Sequence, residues 1–311
     1  MKKYTFLMIS AMYENGGNTT QRLLDGHPEL FVYPFESQPG TKYVNDFLTS
    51  MFPVKYRWPI FPNSATVEEI YRLIIDEEFK IRTRTPYVSK FRDAEFNATD
   101  EDRLRIFTQL LKGKELTRPN IMEAFFVATH KAWKNNKISG KEKIYVGYSP
   151  IIGVDGKKII EDYKGNGYVL HVVRNPFSAF AETKKRPVPL SLEHYITAWN
   201  MCQYTAKINA ANYPDNFFIV RYEDIVANPK KTLGKICKKL GLEVSETLSY
   251  PSWNGEKLTQ VYPWGTIKIP TPEVNIQTAK ELSKKEIAEI ALRTSEYIES
   301  LDYQSIYTTI K

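Results

Sequence analysis

A chain of 311 residues with 42% hydrophobic and 25% charged residues has the balance of a folded globular protein, and 13% aromatic content argues against disorder. Its 15 glycines and 18 prolines are too few for a collagen-like or low-complexity chain, and nowhere do about 18 apolar residues run together as a membrane-spanning helix requires. The 43 Lys and Arg against 36 Asp and Glu leave a net charge of +7, which suits an anionic partner. Two cysteines, Cys202 and Cys237, provide neither a disulfide framework nor zinc spacing, and a reducing compartment is the default.

In chain order, Lys2-Lys3 before Tyr4–Met12 superficially resembles a secretion signal. The apolar stretch is short, however, and Glu14-Asn15-Gly16-Gly17-Asn18 follows without a small-residue cleavage site. A buried first strand entering a glycine loop explains the segment better, so a soluble, cytoplasmic protein is expected. Further short apolar runs at Leu30–Tyr33, Ile144–Tyr148, Tyr168–Val173 and Phe217–Tyr222 read as buried strands separated by helical segments. That alternation predicts an α/β fold with a largely parallel sheet flanked by helices.

Residues 55–140 carry no convincing strand and are predicted to form a helical insertion lobe over the sheet, within a single domain spanning 1–311. Thr66-x-x-Glu69 and Ser283-x-x-Glu286 are capping boxes. Asn228-Pro229 opens a helix that Gly241 closes. His194 to Asn212 reads as a long helix burying Ile196, Trp199 and Tyr204, and Pro251–Pro272 as a long ordered loop.

Three segments carry chemistry. Glu14-Asn15-Gly16-Gly17-Asn18-Thr19-Thr20 joins a strand to an amphipathic helix, where backbone N–H groups converge on an anion at the positive end of the helix. The spacing is not Walker A and the usual lysine is missing. Val172-Val173-Arg174-Asn175-Pro176 places an arginine at the carboxyl end of a buried strand, the ligand edge of an open parallel sheet, where its fork matches a phosphate. Val220-Arg221-Tyr222-Glu223-Asp224 ends another strand on a tyrosine.

Together, in this order, the three resemble the sulfotransferase superfamily, which transfers a sulfuryl group from 3′-phosphoadenosine 5′-phosphosulfate (PAPS). Leu23-Leu24-Asp25-Gly26-His27-Pro28 matches the ending that follows the family's 5′-phosphosulfate loop, and Arg174-Asn175-Pro176 matches the start of its 3′-phosphate segment. Trp199 and Tyr222-Glu223-Asp224 complete the pattern, which covers residues 1–40 and 140–245. The resemblance implies a P-loop-like fold of the carbohydrate and tyrosyl-protein type, and PAPS as donor with 3′,5′-diphosphoadenosine (PAP) as product, without a metal. It implies cofactor contacts at Asn15, Gly16, Gly17, Asn18, Thr19, Thr20, Arg174, Tyr222 and, from a loop closing over the cofactor, Lys257.

Two departures stand out. Glu14 occupies the position of the family's basic residue, so a cation from elsewhere must substitute or the chemistry is weak. The serine after Arg174 falls on Glu182, with Thr183 as the replacement hydroxyl.

Glu36, after the second strand, lies at the same sheet edge and is the candidate base. His27, His130, His171 and His194 read as structural residues. The expected activity is sulfuryl transfer to a hydroxyl of a saccharide, glycoconjugate or small-molecule acceptor, with no nucleic-acid or membrane partner. Arg57, Trp58, Arg82, Arg84 and Lys90 lean the lobe towards an acidic or sugar acceptor. A P-loop phosphotransferase (a kinase) and a non-catalytic nucleotide- or glycan-binding module of the same fold are the alternatives.

Overall fold

The computed structural model describes residues 5–262 and 271–311. Strands β1 (Thr5–Ser10), β2 (Leu30–Val32), β3 (Ile144–Tyr148), β4 (Gly167–Val173) and β5 (Phe217–Arg221) form one sheet in the order β2-β3-β1-β4-β5, every pair parallel. Each falls on a predicted apolar run. β1 stops at Ser10 because the chain then turns into the glycine loop, with the Asn15 N–H bonded to the Met12 carbonyl.

Alternation along β1 sorts the core. Leu7 and Ile9 face α1 (Gly17–Asp25), while Phe6 and Met8 face the opposite layer. That opposite layer begins in the lobe, which contains helices α2 (Val67–Leu73), α3 (Glu77–Arg84), α4 (Asp100–Leu111) and α5 (Arg118–Ala132) and no strand. The expected capping box at Thr66 opens α2. After β3, α6 (Gly156–Asp162) returns the chain to β4, and α7 (Pro176–Thr183) and α8 (Leu192–Asn212) lead to β5. Then α9 (Tyr222–Ala227) and α10 (Pro229–Lys239) join α1 on its face. Helices α11 (Pro272–Ala279), α12 (Lys284–Arg293), α13 (Ser295–Ser300) and α14 (Gln304–Ile310) close the chain.

Two expectations are overturned by the structure. Tyr204 is 57% exposed, although Ile196 and Trp199 are fully buried. Five residues on from Trp199, Tyr204 has rotated off the core face of α8, whereas Cys202, Gln203 and Ala206 stay on it. The Pro251–Pro272 segment is also not simply a loop, although its residues 263–270 lie outside those described. Ser252–Trp253 and Glu256–Lys257 pair as an antiparallel hairpin about Asn254 (φ 53°) and Gly255 (φ 76°). Positive φ at both central residues is the two-residue hairpin turn that Asn-Gly favours.

A buried polar network bolts the lobe to the sheet. Arg103 on α4 pairs with Asp76, which precedes α3, and both are essentially inaccessible to solvent. Tyr33, just past β2, donates its hydroxyl to Asp76 Oδ2 at 2.8 Å, and Arg103 Nε donates to the Tyr71 hydroxyl at 2.7 Å. Removing one partner of such a pair leaves an uncompensated charge in a low dielectric. Asp76→Asn should therefore cost about 3–5 kcal/mol of stability, the range for a broken buried pair, read as a lowered urea midpoint at unchanged slope.

Candidate active site

The carboxyl ends of all five strands deliver their following residues to one edge of the sheet: the loop 11–16 after β1, Glu36 after β2, Arg174 after β4 and Tyr222 after β5, with Tyr148 ending β3. That is the edge where open parallel sheets bind ligands.

The loop needs its two glycines because two aromatic rings lie against it. A Cβ on Gly16 would sit 2.1 Å from Cδ2 of Tyr222, and Gly16 has φ +89°. A Cβ on Gly17 would sit 2.1 Å from Cε2 of Tyr148. Gly16 is the N-cap of α1 and brings no side-chain cap. By helix geometry the N–H groups of the first turn, at Gly17, Asn18 and Thr19, lack intrahelical acceptors. Glu14, also at positive φ (60°), completes the turn.

The sequence-predicted donor residues fare differently. Asn15 is buried and accepts the backbone N–H of Arg174 on Oδ1 at 2.9 Å, so it ties the loop to β4. Thr19 is buried beside the Tyr222 hydroxyl, and the Thr20 hydroxyl donates to the Gly16 carbonyl at 2.9 Å. Arg174 donates from Nε to Asn275 Oδ1 at 2.6 Å and from Nη1 to the Glu14 carbonyl at 3.0 Å, which fixes its plane against the Tyr222 ring. These residues form one assembly.

Thr183 and Lys257 do not join it. The Thr183 hydroxyl is fully buried and bonds the Phe180 carbonyl at 2.7 Å within its own helix, so it does not present itself to a phosphate. Lys257 lies on the hairpin, which packs at the opposite end of α1: Gly255 N–H and the Ser252 hydroxyl both bond Asp25 Oδ2. The nine residues of α1 put that end roughly 13 Å from the loop at 1.5 Å per residue. The Asn-Gly pair flanked by extended residues was the readable signal for this hairpin.

Glu223 is the organising residue that sequence reasoning missed. Its Oε1 accepts from the Asn175 backbone N–H (3.0 Å), Asn175 Nδ2 (2.8 Å) and Asn275 Nδ2 (2.8 Å). Its Oε2 accepts from the Tyr303 hydroxyl at 3.1 Å. Four charge-assisted bonds hold the Arg174-Asn175-Pro176 turn to α9, α11 and the C-terminal helices. Position in the Tyr-Glu-Asp motif was the only sequence signal, since α11 lies far along the chain.

On the other side of the loop stands Glu36. The Tyr56 hydroxyl makes a long contact of 3.5 Å to its Oε2, and Lys90 Nζ lies 3.9 Å from its Oε1. Lys90 is itself bound at 2.5 Å by Glu78 Oε1. Burial of Glu78, reinforced by the Glu36 and Asp76 charges and opposed by Lys90, pushes its carboxyl up to about 7. Tyr13, raised to about 12 mainly by burial, lies edge-on to Tyr56 with centroids 6.0 Å apart.

Most of the basic and aromatic lobe residues that suggested an acidic or sugar acceptor are structural. Arg57 is buried between Asp155 (2.7 Å) and Asp46 (2.8 Å). The buried Trp58 indole bonds Asp162 at 2.7 Å. Arg82 bonds the Phe91 and Ala94 carbonyls, each at 3.1 Å, and Arg84 pairs with Asp100. Only Lys90 of that set faces the site.

His171 and His130 are buried. His171 Nε2 pairs with Gln203 Oε1 at 2.9 Å, and burial takes the ring down to about 4. Burial takes His130 down to about 3. Both cysteines are free and buried. Among the described residues no group of His, Cys, Asp and Glu is arranged to hold a metal, and no helix is long and apolar enough to cross a membrane.

Comparison with known proteins places residues 158–246 in a match to the Sulfotransfer_3 model, described as a sulfotransferase family. The matched segment contains Arg174, Glu223 and helices α7 and α8 between them, and with it the resemblance read from the sequence is borne out. No curated protein matches the chain. Similar solved structures include the sulfotransferase domain of the Synechococcus PCC 7002 olefin synthase, with 18% identity, 89% of this chain and 93% of that one covered, and a TM-score of 0.45. The sulfotransferase domain from the curacin biosynthetic pathway has 15% identity, 94% and 97% coverage and a TM-score of 0.48. A sulfotransferase from Alicyclobacillus acidocaldarius has 12% identity, 94% and 96% coverage and a TM-score of 0.40.

The raised Glu78 carboxyl carries a pH signature. Its proton is held more tightly in the folded chain than in the unfolded one, where a glutamate titrates near 4.3. Stability from this group is full below about pH 4.3 and is lost as pH rises towards about 7. Glu78→Gln should flatten that decline, so the variant gains on the wild type between pH 5 and pH 8 in urea midpoints measured across the range.

Proposed function

We propose that this protein transfers a sulfuryl group from PAPS to a hydroxyl of a saccharide, glycoconjugate or small-molecule acceptor, releasing PAP. The observation that carries the reading is the convergence of three parts at one sheet edge. These are the glycine loop opening α1, Arg174 held in one plane beside it, and the Glu36 carboxylate across the loop. The sulfotransferase-family segment spans the second of them.

In this reading the first-turn N–H groups of α1 take the 5′-phosphosulfate, where the helix dipole adds about half a positive charge. Arg174 reads the 3′-phosphate with its oriented fork. Asn15, which bonds both Arg174 N–H and the Tyr13 carbonyl, keeps the two phosphate sites at a fixed separation. Tyr222 shapes the loop from above Gly16. Glu36 accepts the acceptor's hydroxyl proton as oxygen attacks sulfur. In-line positioning and charge neutralisation supply most of the acceleration in the closely analogous phosphoryl transfers, so no metal is required by the donor's chemistry.

A non-catalytic nucleotide-binding module is the second reading, favoured by one observation: Glu14 puts a carboxylate where the family has a cation. Turnover of labelled PAPS across a panel of sugar and phenol acceptors separates the two. The loop lacks the Gly-Lys-Ser/Thr that a phosphotransferase uses on ATP and Mg²⁺.

Two outcomes follow from the assignment. PAP at about 100 times its Kd should add roughly 2.7 kcal/mol of stability, visible as a melting shift, and ATP should give a much smaller one. Equal shifts would remove the 3′-phosphate role from Arg174. Glu36→Gln should lower kcat by about 10²–10⁴-fold, the range for a general base, while the PAP melting shift stays at its wild-type size. Undiminished turnover in that variant would take Glu36 out of the mechanism.

A further inference from the structure

We infer that Lys90, brought in by the helical lobe, is the cation that meets the transferred sulfuryl group in place of the basic residue missing at position 14. The inference rests on the PAPS reading above.

Lys90 is aimed at Glu36 by the packing of its neighbour. Phe91 and Phe35 lie with ring centroids 4.7 Å apart, and Phe35 immediately precedes Glu36. Arg82 holds the Phe91 carbonyl from α3, so the turn bearing Lys90 is fixed to the helix that also bears Glu78. The ring contact therefore sets two short segments, 35–36 and 90–91, side by side across the lobe–sheet junction.

The ammonium then has two unequal partners. Glu78 holds it at 2.5 Å and Glu36 stands at 3.9 Å. Glu78 is the anchor, and Glu36 is a loose partner that an incoming anion can replace. Glu78 Oε2 has no hydrogen-bond partner among the described residues, so the anchor can follow the ammonium as it moves. Burial alone would lower the Lys90 pKa, but Glu36, Glu78 and Glu14 outweigh it and keep the ammonium charged. Its side chain is 40% exposed, open to a ligand entering the mouth.

Among the described residues, the other two cations at the mouth are engaged. Arg174 is bound by Asn275 and the Glu14 carbonyl. The Arg186 guanidinium stacks 4.8 Å from the centroid of Tyr13. Lys90 alone of the three stands beside the carboxylate assigned to take the proton.

In the transfer, the bond from sulfur to the bridging phosphate oxygen breaks and its electron pair stays on the phosphate. The acceptor oxygen forms the new bond to sulfur, and its proton passes to Glu36. Lys90 keeps its protons throughout and acts through charge and hydrogen bonds to the sulfuryl oxygens. Its departure from Glu36 towards the sulfuryl group also leaves that carboxylate free to accept the proton.

PAP differs from PAPS by lacking the sulfuryl group, so calorimetric titration of both ligands isolates the contact. Lys90→Met should weaken PAPS by about 10–100-fold, the scale of one charge-assisted hydrogen bond, and leave PAP within about two-fold. Lys90→Arg should restore most of the PAPS affinity. If a melting curve shows Lys90→Met unfolded, Lys90→Gln provides the same comparison. A PAPS-to-PAP affinity ratio unchanged from wild type, or equal weakening of both ligands, overturns the inference. Wild-type protein that binds neither ligand overturns the donor assignment itself, and this inference with it.

Discussion

Arg103 and Asp76 bring opposite charges into a region from which water is excluded, and each is tolerable there because the other is present. The pair joins α4 to the start of α3, and the Tyr33 hydroxyl extends it to the end of β2. Everything on the lobe side of the site hangs from this junction. Glu78 lies two residues beyond Asp76, Glu36 three residues beyond Tyr33, and Lys90 is held between them by the Phe35–Phe91 contact. A helical lobe with no strand of its own can thus deliver a side chain to a sheet edge at fixed distance.

The opposite side of the site depends on a second buried carboxylate. Glu223 gathers Asn175, Asn275 and Tyr303, so that the turn after β4 is tied to segments a hundred or more residues further along the chain. Arg174 inherits its orientation from that arrangement through Asn275, and passes it to the glycine loop through the Glu14 carbonyl. The loop itself is shaped by rings. Tyr222 and Tyr148 occupy the volume that side chains at positions 16 and 17 would need, which ties the conformation of the loop to the ends of β3 and β5.

The charge pattern at the mouth differs from what the lobe's composition suggested. Arg57 is consumed by Asp46 and Asp155, Arg84 by Asp100, and Arg82 by backbone carbonyls. All three are engaged by these partners, Arg57 within the buried interior, and the carboxylates Glu14, Glu36 and Glu78 remain around Lys90. Counting basic residues along a segment therefore says little about its field, because each guanidinium that finds a buried partner stops acting on the surface.

The five strands, the capping boxes at Thr66 and Ser283, and the order of glycine loop, Arg174 and Tyr222 were all legible in the sequence. Each is a local matter, set by apolar runs, by side chains that bond a backbone N–H three residues away, and by punctuation at Gly and Pro. Even the hairpin at Asn254-Gly255 had its local signal. The fate of individual side chains was not legible. That Lys257 lies at the far end of α1 and that Lys90 reaches Glu36 depend on contacts between residues about 230 and about 50 positions apart. Hydrophobic periodicity assigns a residue to a face, but the partner that satisfies its polar atom there is chosen by whichever segment packs against it. Only the tertiary structure makes that choice.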